Sequence, residues 1–149
     1  MKGEKMKKSF TILELIFVIV IIGILATIAL PKFAQTKDVV DISKVNQELK
    51  KVKLGIQNSI SNYIISGTYK CPDLEKSTTD NTVFENVVNG GIPINDNGIT
   101  WKLENKNKYK IIFSNGATVE IEYNSTDFKN GCPFICNSSG ELCSKIVEK

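Results

Sequence analysis

Apolar residues form three patterns along the chain, and the first is an unbroken run near the N-terminus. Between Phe10 and Leu30 the only charged residue is Glu14. About 20 apolar residues in an α-helix are enough to span the hydrocarbon core of a bilayer, which is about 30 Å thick. The run therefore predicts a transmembrane helix over residues 10–30.

The second pattern is an apolar stripe after Pro31, with the three- and four-residue steps of one helix face. Its members are Val39, Ile42, Val45, Leu49, Val52, Ile56, Ile60 and Tyr63. Ser66-Gly67 supplies a stop, because glycine suits the left-handed position after a helix. The stripe predicts that the helix continues as an amphipathic segment over residues 31–66. Pro31 removes one backbone hydrogen bond, so we expect a helix kink there.

The third pattern is a set of strand-like runs over residues 99–104, 109–114 and 117–123. Asn115-Gly116, between the last two runs, predicts a hairpin with a type I′ turn, in which both central residues have positive φ. The runs predict an antiparallel meander that packs against the apolar stripe of the helix, although a short coiled coil is an alternative partner for that stripe. The expected core side chains of the meander are Trp101, Tyr109, Ile111, Phe113, Val119 and Ile121.

Together these elements predict an α+β fold. A long N-terminal helix, transmembrane in its first half, packs on a small antiparallel β-sheet of about residues 99–123. The head domain is expected to cover residues 67–149. Its first part, residues 68–98, is rich in Thr, Asn, Asp and Gly and predicts a loop with at most a short helix near residues 83–88.

Positive charge is concentrated before the apolar run. Five of the first eight residues are charged, namely Lys2, Glu4, Lys5, Lys7 and Lys8. The positive-inside rule therefore places residues 1–9 in the cytoplasm and the chain after Pro31 across the membrane. Removing these residues from the totals of 19 basic and 16 acidic residues leaves 15 of each. A neutral remainder without arginine argues against a nucleic-acid partner on electrostatic grounds.

Catalytic and metal-binding patterns are not evident. The chain contains no histidine, which excludes a histidine triad and imidazole metal ligands. We find no nucleophile with a base, no phosphate-binding loop and no carboxylate pair. Asn124, Asp127 and Asn130 carry oxygen atoms that suit calcium, but their spacing is that of a solvated turn. We therefore expect no enzymatic activity, no cofactor and no metal site.

The cysteines all follow the apolar run, at Cys71, Cys132, Cys136 and Cys143. An even number on the oxidising side of a membrane predicts two disulfides. A zinc site is the alternative, but the spacings contain no C-x₂-C pair. We favour the pairing of Cys71 with Cys132 and of Cys136 with Cys143, because Pro133 stiffens a direct loop from Cys132 to Cys136. The other two pairings stay open.

An acidic residue inside an apolar run is costly, which marks it as a functional residue that needs a partner. The segment Lys8-Ser9-Phe10-Thr11-Ile12-Leu13-Glu14-Leu15 resembles the signal of type IV pilins and type II secretion pseudopilins. In that family a short basic leader precedes a cleavage site, an aromatic residue and a long apolar helix with a glutamate. The resemblance covers residues 7 to about 33, and Ser9 stands where the family mostly has glycine.

The resemblance implies that a prepilin peptidase removes residues 1–9 by cleavage between Ser9 and Phe10, and then methylates the amine of Phe10. Glu14 would neutralise the amine of a neighbouring subunit during assembly. The chain would be a structural subunit of a type IV pilus or a type II secretion pseudopilus. Its expected partners are copies of itself or related pilins, the prepilin peptidase and an inner-membrane assembly platform. It would cross the inner membrane once, with a periplasmic head, before it enters the filament.

Three other interpretations stay open. Thr27-Ile28-Ala29 can act as a signal-peptidase site, which would release a secreted binding domain that begins at Leu30. A plain membrane anchor would place Glu14 at the lipid headgroups. A competence pseudopilin would handle DNA, although the neutral chain lacks the charge for it.

Overall fold

The computed structural model describes residues 10–76, 81–137 and 140–147, without the side chains of residues 29–36. The predicted leader, residues 1–9, and with it Ser9, lies outside the described residues. The chain divides into two compact units, Met1–Lys37 and Asp38–Lys149.

One long helix, α1, extends over Ile12–Ile65. It ends where Thr68 donates its N–H to the carbonyl of Tyr63 at 2.7 Å, and Gly67 has a φ of 76°. Both features are typical of a glycine-terminated helix, as the sequence predicts. Pro31 lies among the residues whose side chains are not described, so the kink there stays a prediction.

The second unit contains a five-stranded antiparallel sheet in the order β3-β4-β5-β6-β7 and a small ribbon of β1 and β2. The strands are β1 (Thr82–Val83), β2 (Ile92–Pro93), β3 (Asn95–Asp96), β4 (Ile99–Asn105), β5 (Lys108–Ile112), β6 (Thr118–Tyr123) and β7 (Phe134–Cys136). A 3-10 turn at Phe128–Asn130 precedes β7, and a short helix, α2, covers Glu141–Ile146. The long helix and antiparallel sheet confirm the predicted α+β class.

The core lies between the part of α1 in the second unit and one face of the sheet. From α1 it takes Val45, Leu49, Val52 and Ile56, which are all buried. All six predicted strand residues are also buried: Trp101, Tyr109, Ile111, Phe113, Val119 and Ile121. The stripe prediction is wrong at its first position, because Val39 is 66% exposed and the core begins only at the partly buried Ile42.

Polar side chains on α1 fix the helix relative to the turns of the sheet. Asn115 Nδ2 donates to Asp38 Oδ1 at 2.9 Å. One turn later, the buried Asp41 accepts from the hydroxyl and the N–H of Ser114. Lys44 then forms an ion pair with Asp96. These contacts give the helix one register on the sheet, because each joins a different position of α1 to a different turn residue.

The predicted type I′ turn is wrong at Asn115-Gly116, where only Gly116 has positive φ, at 84°. The loop has three residues, since Phe113 N donates to Ala117 O and Gly116 N donates to Phe113 O, both at 2.9 Å. A turn followed by a left-handed glycine is the usual form of such a loop. The Asn115 side chain supports it by accepting from Ala117 N at 2.8 Å.

The two-residue turn occurs instead at Asn97-Gly98, between β3 and β4. Asn97 and Gly98 have φ values of 51° and 88°, and the flanking residues Asp96 and Ile99 are paired. Positive φ at both central positions is the requirement of type I′. The Asn-Gly signal for a type I′ turn therefore holds at Asn97-Gly98 and not at Asn115-Gly116.

The short helix considered for residues 83–88 is absent from this fully described stretch. Phe84 there is completely buried and has a φ of 63°, which a right-handed helix does not allow. A single turn follows it, closed by Val88 N donating to Phe84 O at 2.9 Å. Packing of the Phe84 ring against Trp101 and Tyr109 thus outweighs the local helix tendency.

Gly55 provides a test of how tightly α1 packs in the second unit. A Cβ atom added at Gly55 would lie 1.9 Å from the backbone oxygen of Val87. We expect Gly55→Ala to lower the free energy of unfolding by about 1–3 kcal/mol. The added methyl group would force α1 away from the turn that contains Val87. Thermal unfolding of the full-length chain in detergent, followed by the fluorescence of Trp101, the only tryptophan, measures the loss.

Gly23→Ala is the matched control for this substitution. Nothing lies within 4 Å of the Cβ that it would add, and alanine is favoured over glycine inside a helix. An unchanged unfolding temperature for Gly55→Ala would contradict the close packing.

Candidate functional site

The N-terminus of α1 is built by Thr11. Its carbonyl accepts the first helical hydrogen bond, from Leu15 N at 3.2 Å. Its hydroxyl oxygen accepts a second, from Glu14 N at 3.3 Å. Thr11 is therefore the N-cap residue and satisfies a backbone N–H that the helix leaves free. Our sequence reasoning missed this role, although Thr-x-x-Glu is the pattern of a capping box.

Glu14 lies in the first turn of α1, and its side chain is exposed. Within the described residues, its carboxylate forms no hydrogen bond and no ion pair. The positive end of the helix dipole favours an acid at this position, typically by about 0.3–1 kcal/mol. The carboxylate is thus compatible with the N-terminal turn of α1 and has no cationic partner among the described residues.

The helix around Glu14 presents apolar side chains on all sides. Every residue from Phe10 to Ile28 is exposed, and the large apolar side chains among them are 42% to 79% exposed. Each square ångström of such surface removed from water contributes about 25 cal/mol. Covering this surface with lipid or with another helix is therefore favourable, because it lowers the free energy of the chain.

Among the residues that the structure describes, no helix combines the length and the apolar character of a membrane span. The predicted span covers residues 10–30, and the side chains of its last two residues, Ala29 and Leu30, are not described.

Phe10, the first residue described, precedes the N-cap and is 74% exposed. It lies four positions before Glu14 in the sequence, so one predicted site residue precedes α1 and the other lies in its first turn. Cleavage before Phe10 and methylation of its amine stay predictions, as does the assembly role of Glu14.

The head carries two disulfides, Cys71–Cys132 and Cys136–Cys143, each with a Cα–Cα distance of 5.9 Å. This is the pairing that we favoured from the sequence. The C-terminal tail packs on the rest of the head, since β7 pairs with β6 and both Phe134 and Ile146 are buried. Disulfides and sheet pairing therefore hold the tail together.

Two carboxylates that accept hydrogen bonds from aromatic side chains of the core were not predicted. Glu48 is 8% exposed and accepts from the indole Nε1 of Trp101 at 2.8 Å. Glu75 accepts from the hydroxyl of Tyr109 at 2.7 Å and from Phe84 N at 3.0 Å. Burial raises the pKa of both carboxyls, and the hydrogen bonds to them only partly oppose it.

This burial predicts how the stability of the head depends on pH. A raised pKa means that the folded chain binds protons more tightly than the unfolded chain, in which the carboxyl has its ordinary pKa of 4.5. The contribution of Glu48 to stability is therefore fully present below that pH and is lost as the pH rises through the folded pKa. We expect Glu48→Gln to reduce this loss, because Gln does not ionise and can still accept from Trp101.

Urea unfolding at a series of pH values from about 4 to about 8 measures this effect. Glu104→Gln, an exposed residue on the sheet, is the matched control and should follow the wild-type pH dependence. A Glu48→Gln curve with the wild-type slope would contradict the argument.

The calcium-suited residues are engaged in turns. Asp127 accepts from Asn130 Nδ2 at 2.9 Å, and Asn124 Oδ1 accepts from the hydroxyl of Thr126 at 2.8 Å. In the described parts of the chain, no three potential metal-ligating residues cluster. These oxygens therefore stabilise the loop before β7.

Comparisons with known proteins agree with the N-terminal features. The family model for the prokaryotic N-terminal methylation motif matches residues 5–30. Two curated proteins, each named "Fimbrial protein" and both from Pseudomonas aeruginosa, are 28% identical to the chain over 96 residues. The match covers 62% of this chain and 62% of the length of those relatives. No solved structure matches the chain significantly.

Proposed function

We propose that this chain, which carries the N-terminal methylation motif and has a pilin-like α+β fold, is a subunit of a type IV pilus. In this proposal a prepilin peptidase cleaves between Ser9 and Phe10 and methylates the amine of Phe10. The mature chain then polymerises through its N-terminal helix. The similarity to fimbrial proteins supports a structural role and not an enzymatic one.

The observation that carries the proposal is the carboxylate of Glu14. It is exposed, and it has no partner in the described part of its own chain, although it is the only charged residue between Phe10 and Ile28. The described residues of a single chain leave that charge unpaired, and an unpaired charge in apolar surroundings is costly. A second copy supplies the missing cation, because cleavage before Phe10 creates a positive amine at the end of an identical helix.

The charge attraction and the burial of apolar side chains both favour assembled subunits over single ones. Opposite charges about 4 Å apart attract by about 4 kcal/mol at an effective dielectric constant of 20. Such a pair fixes the register between helices, because each Glu14 meets one amine. The exposed apolar side chains from Phe10 to Ile28 would be covered by neighbouring helices in the same step.

The proposed route begins in the inner membrane. Residues 10–30 hold the subunit there, the basic residues before Phe10 keep the N-terminus in the cytoplasm, and the head folds in the periplasm. The two disulfides are compatible with that oxidising compartment. An inner-membrane assembly platform would then transfer the subunit into the filament.

The intact mass of the protein from purified filaments tests the proposal. We expect a chain that begins at methylated Phe10 and contains both disulfides. A chain that still begins at Met1, or one that begins at Leu30 after signal-peptidase cleavage, would contradict it.

A type II secretion pseudopilus is the second candidate, since the methylation motif does not separate it from a pilus. The fimbrial relatives favour the pilus. Electron microscopy of cells labelled with antibodies to the head distinguishes them, because only a pilus places the head on filaments outside the cell at ordinary expression.

A further inference from the structure

The chain leaves the sheet after β6 at the sequence Asn124-Ser125-Thr126. This sequence has the Asn-x-Thr pattern that allows attachment of a glycan to an asparagine in exported proteins. The backbone of Asn124 is held in place, since its N–H donates to Pro133 O at 2.9 Å and its carbonyl accepts from Asp127 N. The side chain of Asn124 therefore has a defined position at the end of the strand.

The two side chains that define the pattern lie together. Thr126 donates to Asn124 Oδ1 from its hydroxyl at 2.8 Å and from its N–H at 3.2 Å. The other amide atom, Nδ2, forms no hydrogen bond within the described residues. Among the described residues, every buried side-chain nitrogen or oxygen has a hydrogen-bond partner. Because Nδ2 of Asn124 has none, it is not buried and contacts solvent. The atom that would carry a glycan is thus free.

A second copy of the pattern, Asn137-Ser138-Ser139, provides a comparison within the same chain. Asn137 Nδ2 donates to Glu122 Oε2 at 2.9 Å, and Asn137 N donates to the carbonyl of Glu120 at 3.0 Å. A glycan on Asn137 would replace a hydrogen of the nitrogen that holds Glu122. Attachment at Asn124, which is partly exposed, breaks no hydrogen bond of the described head, so the hydrogen bonds favour Asn124 over the more exposed Asn137.

From these contacts we propose that Asn124 is the acceptor of an N-linked oligosaccharide. The donor class is a sugar chain carried on a polyprenyl diphosphate. Nδ2 of Asn124 forms a bond to C1 of the first sugar, the bond from C1 to the diphosphate oxygen breaks, and one amide proton leaves. Polyprenyl diphosphate is the leaving group, and no oxidation or reduction occurs. The proposal rests on the proposed function, which places the head outside the cytoplasm.

Peptide mapping by mass spectrometry of the protein from the cells that naturally produce it tests the site. We expect the peptide with Asn124 to carry carbohydrate and the peptide with Asn137 to carry none. Asn124→Gln and Thr126→Ala should each abolish the added mass, and the conservative variant Thr126→Ser should keep it. Asn137→Gln is the matched control, which should keep the mass at Asn124.

An Asn124 without carbohydrate in the wild-type exported chain would overturn the proposal, and so would carbohydrate on Asn137 alone. The wild-type map needs no variant to fold, so a misfolded variant does not weaken this outcome. The same spectra report the N-terminus. A chain cleaved at Phe10 but bare at Asn124 contradicts the glycosylation alone, whereas an uncleaved chain contradicts the proposed function.

Discussion

Replacement of Glu14 by Gln is expected to reduce the amount of filament at least tenfold. The substitution keeps the size of the side chain and the cap that Thr11 forms on the backbone N–H of residue 14. It removes the charge that would neutralise a neighbour's amine, an attraction of about 4 kcal/mol at an effective dielectric constant of 20. Because about 1.4 kcal/mol corresponds to a factor of ten in an equilibrium, even half of that attraction gives the expected loss.

The amount of filament sheared from cells, divided by the amount of subunit in the membrane, measures the effect. Glu14→Asp keeps the charge on a shorter side chain and should retain part of the assembly. Glu104→Gln makes the same chemical change on the exposed surface of the sheet and should assemble normally. Wild-type filament yield from Glu14→Gln, with normal cleavage before Phe10, would show that the carboxylate does not pair with a neighbour.

The sequence was most informative where a pattern extends over many residues. The stripe from Ile42 to Tyr63 and the strand runs predicted both the helix and the buried face of the sheet, because helical and strand periodicities differ clearly. An unusual residue was also informative. Glu14 is the only acid in a long apolar run, which marked it as a functional residue without any knowledge of the fold.

The sequence was less informative where contacts between distant residues decide the structure. β7 has three residues and forms only because β6 offers it an edge. Phe84 adopts positive φ because its ring fits between residues of the sheet. The buried Glu48 and the partly buried Glu75 were not predicted, because their hydrogen-bond partners, Trp101 and Tyr109, are far away in sequence.

Loss of the Cys71–Cys132 disulfide is expected to cost more stability than loss of Cys136–Cys143. The first bond joins residues 61 positions apart, and the second joins residues 7 positions apart. In the chain-entropy description, a bond that closes a longer loop removes more freedom from the unfolded chain. The expected costs are about 4 kcal/mol for the first bond and about 2.5 kcal/mol for the second.

The pair of variants Cys71→Ala/Cys132→Ala and Cys136→Ala/Cys143→Ala tests this order by urea unfolding in detergent, with Trp101 fluorescence as the signal. Both variants lose one disulfide from the tail, so each is the matched control for the other. The first bond also links the segment just after α1 to the loop before β7, whereas the second closes only the tail. Equal losses, or a larger loss for Cys136→Ala/Cys143→Ala, would mean that contacts of the tail rather than loop length determine what each bond contributes.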